Sequence, residues 1–331
     1  MMKATNTINL IQLSTDIQTN NLFLQDIDKG LSAVQKQIPS VYFYDKKGSE
    51  LFEQICNLDE YYQTRTETKI LKKYSTHIAN SCTPDTDIIE LGSGSSTKTK
   101  ILLEAFLKKN GNATYYPIDI SAKFLLESSK QLSNSLNKLN IKPIAGRYKN
   151  GLEYIFNLNP HTPKLVIWLG SSIGNLSRHD SVIFLQSIYS IFNTGDKLLI
   201  GMDLKKDIKV LLEAYNDNKG ITAAFNKNLL LRINTELGGE FDLNLFEHRA
   251  IYNKIEGRIE MHLISKVNQN IFIKALDKSF HFEKQEYIHT ENSYKYNLKE
   301  IDEMSKKAGF KFEYHRLDNK KLFSLNEFIK I

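Results

Sequence analysis

The chain has 331 residues, 41% hydrophobic and 25% charged, with only 16 glycines and 6 prolines. That mix belongs to a globular protein of one large or two intimate domains and excludes collagenous and low-complexity chains. Lys plus Arg number 44 against 38 for Asp plus Glu, a formal charge of +6, and the excess is scattered in pairs such as Lys108-Lys109 and Lys320-Lys321, with no block to grip nucleic acid or a membrane surface. Cys56 and Cys82 cannot by themselves build a zinc cluster or disulfide framework, and the eight histidines show no HExxH or HxH spacing, so no metal is expected. The polar stretch Met1 to Leu24 lacks a signal peptide's apolar core, and the longest apolar run, Leu165 to Leu169, is far too short to cross a bilayer. A cytoplasmic protein without a membrane or nucleic-acid partner is the expectation; the oligomeric state is not readable.

In chain order, residues 26–75 look helical and carry a polar–aromatic stretch at Tyr42 to Asp45 and again at Glu60 to Glu67. Buried strands are then predicted at Ile88 to Leu91, Tyr115 to Asp119, Lys164 to Leu169 and Lys197 to Met202. Between them lie helical patterns: Ile101, Leu102, Ala105 and Phe106 after Thr97, a stretch capped by Ser121 and running through Leu125, Leu132 and Leu136, and Asp180 to Phe192. Such alternation predicts an α/β fold, a mostly parallel sheet with helices on both faces.

After that the texture changes. Residues 221–238 read as one helix stopped at Gly238-Gly239. From Phe246 to Phe282 the pattern is strand-like, with Ile259, Met261, Leu263 and Ser265 on one face and a hairpin turn at Ile255-Glu256-Gly257. Asn297, with Glu300 three residues on, opens a last helix that ends near Gly309. Two domains are expected: 66–204 with 295–331 as the alternating one, and 1–65 with 205–294 as a smaller α+β one.

The sharpest local feature is Glu90-Leu91-Gly92-Ser93-Gly94-Ser95-Ser96-Thr97-Lys98, set between a strand and a helix. Glycines there let backbone N–H groups approach a ligand. A dinucleotide fingerprint needs a third glycine where this chain has Thr97, so a pyrophosphate site is disfavoured. An acidic residue ending the strand, Glu90, suits a cofactor with a positively charged amino-acid tail, S-adenosylmethionine (SAM), and Asp119 ending the next strand suits its ribose hydroxyls. An ordinary tight turn is the bland alternative.

Several longer stretches then carry a resemblance. They are Tyr44 to Phe52, Glu60 to Glu67, the turn just described, Pro117 to Ser121, Leu169 to Leu176, Thr222 to Asn226, Phe241 to His248, Arg258 to Met261 and His289 to Tyr296. In order and over most of the chain, they resemble the histidine-specific SAM-dependent methyltransferases. The resemblance implies a Rossmann-like methyltransferase sheet plus a substrate-binding domain, SAM as cofactor, and methylation of an amino acid's α-amine, with histidine taken to its trimethylated betaine in ergothioneine biosynthesis. It puts Tyr44, Gly92, Lys98 and Asp119 against SAM, and Gly94 of the same turn is expected to join them. Tyr61, Asn175 and Tyr215 would hold the substrate's amino and carboxylate groups or its ring, Phe52 would be an aromatic wall, and Met261, Glu291 and Ser293 would recognise imidazole. Gly146-Arg147-Tyr148 departs from the family's Gly-Asp-Phe, and an arginine cannot accept a hydrogen bond from an adenine amino group.

Read from chemistry alone, methyl transfer from a sulfonium needs positioning more than acid–base work, so no strong general base is nominated; Tyr61 and Asn175 are the positioning candidates. A carboxylate at Glu291 would favour a ring bearing N–H over apolar side chains. On composition, Met261 fits a core as well as a pocket, and Tyr61-Tyr62 fits a helix end with a wet hydroxyl. Rival readings are another amino acid such as tryptophan, a binding protein that has lost catalysis, and a nicotinamide oxidoreductase.

Overall fold

A computed structural model describes residues 8–13 and 16–331, with side chains from residue 21 onward in the longer segment. The strands are β1 (Ile11–Gln12), β2 (Asp87–Leu91), β3 (Ala113–Asp119), β4 (Leu139–Ile141), β5 (Ile144–Ala145), β6 (Lys164–Trp168) and β7 (Lys197–Asp203). They continue with β8 (Phe246–Asn253), β9 (Arg258–Ser265), β10 (Gln269–Ile273), β11 (Lys278–Phe282), β12 (Tyr287–Tyr294), β13 (Lys311–Leu317) and β14 (Phe323–Ile329). The helices are α1 (Asp16–Ser32), α2 (Lys46–Cys56), α3 (Tyr62–Asn80), α4 (Thr99–Asn110), α5 (Ala122–Ser135), α6 (Tyr148–Leu158), α7 (Arg178–Ile191), α8 (Ile208–Glu213), α9 (Ile221–Leu237) and α10 (Leu298–Lys307). None is long and apolar enough to cross a membrane among the described residues.

Two compact units divide the chain. The first comprises residues 8–13, Gln63–Leu204 and Tyr296–Ile331, and the second residues 16–62 with Lys205–Lys295. In the first, one sheet runs β1-β5-β3-β2-β6-β7-β14-β13, with β4 also on β3. The pairs from β1 to β7 are parallel, and β14 is antiparallel to β7 and β13. Every residue of β2 and β6 is buried, as expected where helices cover both faces of a parallel sheet. Leu102, Leu103 and Phe106 of α4 and Ile70, Leu71 and Ile78 of α3 pack with Ile88, Tyr115, Ile167 and Leu199 into a continuous core. The strand order turns about β2, with β3 on one side and β6 on the other, and the crevice beyond the strand ends at such a switch point is where doubly wound folds bind ligands.

Two expectations are corrected here. Residues 8–13 had been assigned to the smaller domain, yet Ile11 and Gln12 pair in parallel with Ile144 and Ala145, and the Ile11 and Leu13 amides donate to Pro143 and Ala145 carbonyls, adding an edge strand to the large sheet. A strand of two residues has no periodicity to read. Ser121 stands at the N-cap of α5 without a side-chain cap bond; its amide donates instead to Asp119 Oδ1 at 3.0 Å.

The second unit is built on the antiparallel sheet β12-β9-β8, with the β10-β11 hairpin as a separate ribbon. β8 and β9 form the hairpin predicted about residues 255–257. Helix α2 starts on Asp45, whose carboxylate accepts from the Gly48 amide. Asn228 of α9 donates to the same Asp45 oxygen at 2.8 Å, fixing that cap. Asn226, fully buried, accepts from Thr290 Oγ1 and donates to His248 and to the His262 carbonyl, locking α9 to all three strands.

Candidate active site

In the first unit the glycine turn leaves β2 at its C-terminal end. Gly92 has φ +70° and Gly94 φ +49°, left-handed values that suit glycine. A Cβ on Gly92 would lie 2.5 Å from the Tyr148 hydroxyl, so the position also has no room for a side chain. Asp119, ending β3, accepts from the Gly94 amide at 3.3 Å and from the Ser121 amide at 3.0 Å. Burial raises its carboxyl above the usual carboxylate range, and these amide bonds oppose that.

Glu90 sits beneath the turn. It is fully buried; one carboxylate oxygen accepts from Thr99, the first residue of α4, and the other from the Tyr115 phenol. Burial pushes its carboxyl from about 4.5 up to about 7. These two hydroxyl bonds brace the turn against α4 and β3.

Lys98 precedes α4 and pairs with Glu67 of α3. The same Glu67 carboxylate, fully buried, accepts from the Gly170 amide with both oxygens at 3.0 Å. Gly201 on β7 admits it, since a Cβ there would lie 2.1 Å from Glu67 Oε1. One carboxylate therefore ties together the turn after β2 and the turn after β6, lying over Gly201 of β7. Glu67 was not singled out from sequence; it lies in the Glu60 to Glu67 stretch but resembles any helical glutamate. Asn175 ends the 3₁₀ turn Ser172–Asn175 that follows Gly170, partly buried in this first unit. Arg147, at the N-cap of α6, is exposed and makes no capping bond.

In the second unit, Tyr44, Phe52, Ile55, Tyr61, Ala214, Tyr215, Thr222, Phe225, Met261 and Glu291 line an open pocket. The rings form one wall: Phe52 lies edge-on to Tyr44 at 5.7 Å and to Tyr61 at 6.2 Å, and Tyr61 edge-on to Tyr215 at 6.3 Å. Burial, reinforced by Tyr215, lifts the Tyr61 phenol well above its ordinary value, so its hydroxyl stays protonated. Tyr44, assigned to the cofactor from sequence, belongs to this wall in the second unit.

Glu291 owes its place to a bulge. His289 pairs with His262, but Glu291 pairs with Met261, so Thr290 is the extra residue on β12. The shift sets Glu291 opposite Met261, and both face the pocket; re-aiming a side chain beside a site is a common use of bulges. Ser293, two residues on, lies 2.7 Å from the Tyr215 hydroxyl.

Glu260, His262 and His289 bring three possible ligand atoms within 4.8 Å of one another. They are already engaged: Glu260 by Arg258 at 2.8 Å and by Asn253, His262 with Glu260 at 3.2 Å, His289 with Asn292 at 2.9 Å. Burial, with His289 adding to it, lowers His262 to about 4. A carboxylate neutralised by arginine is a poor cation site, and its bond from Asn253 joins β8 to β9.

A family model described as histidine-specific, SAM-dependent methyltransferase matches residues 23–329. The chain belongs to that family. Histidine N-alpha-methyltransferase of Mycobacterium tuberculosis is 37% identical over 86% of this chain and 88% of its own length. Ergothioneine biosynthesis protein 1 of Schizosaccharomyces pombe is 35% identical over 83% of this chain and 36% of that longer protein. More distantly, 4-dimethylallyltryptophan N-methyltransferase of Claviceps purpurea is 28% identical over 89% of this chain and 92% of its own.

SAM is the cofactor of this histidine-specific methyltransferase family, and the first unit's rim fits it. At Gly94 the space a side chain would enter is open, and Asp119 supplies carboxylate oxygens beside it. Ribose hydroxyls can donate to such oxygens. The adenine acceptor expected before α6 is replaced by Arg147, whose side chain can only donate.

Proposed function

We propose that this methyltransferase acts on the α-amine of L-histidine and carries it to the trimethylated betaine hercynine, a reaction of ergothioneine biosynthesis. The observation that carries the histidine reading is the bulge on β12, which places the Glu291 carboxylate and Met261 together in an aromatic pocket. A carboxylate accepts from an imidazole N–H, the apolar rings cover its faces, and an apolar side chain would leave Glu291 unsatisfied. The relatives named for histidine methylation support the same choice; the relative named for a prenylated tryptophan sets the rival.

SAM, when bound, supplies a methyl carbon activated by its sulfonium. The chain's own residues bind and orient. Gly92, Gly94 and Asp119 would hold the nucleoside, and Glu67 keeps Lys98 and the Gly170 amide in place beside it. Tyr61 offers its hydroxyl to the amino acid's polar end, while Tyr215, bonded to Ser293, faces the ring. Tyr61 cannot serve as a strong base, because burial keeps its phenol protonated; the amine gives up its proton to water and presents its lone pair, and positioning does the rest.

The test is mass spectrometry of products after purified protein and SAM are incubated with single amino acids. Histidine should gain one, two and finally three methyl groups; gain on tryptophan with histidine untouched would move the chain to the rival substrate.

A further inference from the structure

We propose that Lys295 fixes the hydrogen-bond polarity of the pocket, making the Tyr215–Ser293 pair a donor that favours substrates with an unprotonated ring nitrogen; the proposal rests on the histidine reading above. Lys295 is fully buried. Its ammonium lies 2.7 Å from Ser293 Oγ and 3.2 Å from the Tyr215 hydroxyl, and those two oxygens are 2.7 Å apart. The three atoms close a triangle, with the ammonium also 4.9 Å from the centre of the Tyr215 ring.

An ammonium has donors and no acceptor. Both hydroxyls therefore accept from Lys295, and neither can point its hydrogen at it. One hydroxyl hydrogen bridges the pair, and the other is turned away from Lys295. Tyr215 lines the pocket, and so does Glu291, two residues before Ser293 on β12. The pocket thus meets a ring with an acceptor, Glu291, and with a hydroxyl pair held as a donor. A neutral imidazole answers both, with one N–H and one bare nitrogen. Indole has an N–H but no bare ring nitrogen, and thiophene has neither. Lys295 is a positioning residue that acts through the two hydroxyls.

The experiment compares wild type, Lys295→Met, Ser293→Ala and the double variant. Readouts are KM for histidine, tryptophan and thienylalanine, and titration of SAM and of each amino acid. Lys295→Met should raise the histidine KM about tenfold, the effect of one misdirected hydrogen bond. It should shrink the preference for histidine over thienylalanine by a similar factor and leave SAM binding unchanged. Added to Ser293→Ala it should cause little further loss, because its effect runs through that hydroxyl. An unchanged histidine KM, or an equal loss for all three amino acids and SAM, overturns the proposal. A wild type that does not methylate histidine overturns the functional reading instead, and the amino-acid titrations still decide whether Lys295 sets donor polarity. Should Lys295→Met fail to fold, wild type is titrated with pyrazol-1-yl-alanine, whose ring is linked through nitrogen and so has a bare nitrogen but no N–H: tighter binding than thienylalanine supports the donor pair, and equal binding overturns it.

Discussion

On the proposed function, the two compact units recognise chemistry by opposite means. The first uses backbone and buried carboxylates at the C-terminal ends of parallel strands: a glycine turn with left-handed residues, Asp119 on its amides, and Glu67 tying Lys98 to the Gly170 turn. The second uses side chains on an antiparallel sheet and two helices: aromatic edges, hydroxyls, a methionine and a carboxylate re-aimed by a bulge. A nucleoside cofactor is shared by many enzymes, so strand-end geometry can serve it; a particular amino acid needs a pocket whose polar atoms match one ring.

That contrast breaks most sharply at its two carboxylates. Asp119→Ala should weaken S-adenosylhomocysteine binding about a hundredfold, as loss of charge-assisted hydrogen bonds does, with histidine affinity little changed; calorimetry with each ligand checks it, and unchanged cofactor binding removes Asp119 from the ribose. Glu291→Ala should do the reverse, lowering kcat/KM for histidine about thirtyfold while SAM binding stays. If both ligands lose equally, the division of labour fails. Glu67→Gln sharpens the comparison within the first unit: the Lys98 pair is lost while an acceptor for the Gly170 amide is kept, and SAM affinity should fall about tenfold.

The smallest effects concern stability, and here the units have opposite signs. Glu90, raised by burial to about 7 from about 4.5, binds a proton more readily folded than unfolded. Its contribution is complete below the unfolded value and is lost as pH rises from about 4.5 through about 7. His262, lowered to about 4 from about 6.5, gives the other sign: its contribution is complete above the unfolded value and is lost as pH falls from about 6.5 through about 4. Glu90→Gln should flatten the alkaline loss and His262→Asn the acid loss, each by on the order of 1 kcal/mol across its window. Urea unfolding at a series of pH values reads both slopes, and slopes identical to wild type would remove these groups as their source.

The buried strands were legible because parallel strands covered on both faces leave continuous apolar runs, as in Lys164 to Trp168. The capping box at Asn297 and Glu300 was equally plain, since it is local chemistry at fixed spacing. What escaped depends on partners distant in sequence. Strand β1 exists only because β5 offers it an edge. The bulge at Thr290 leaves no mark in composition, although it decides where Glu291 points. Glu67 and Asn226 look like ordinary helical polar residues until the loops and strands they join are known. Glu90 was legible as an acidic strand end, but its hydroxyl partners, Thr99 and Tyr115, were not.

The central claim is that a nucleoside sits on the first unit's glycine turn while the second unit's pocket reads imidazole. A crystal structure with S-adenosylhomocysteine and L-histidine tests it most directly. The account expects ribose density against Asp119 and an imidazole nitrogen within hydrogen-bond distance of Glu291. Ribose placed away from Asp119, or histidine bound with its ring remote from Glu291, would contradict it.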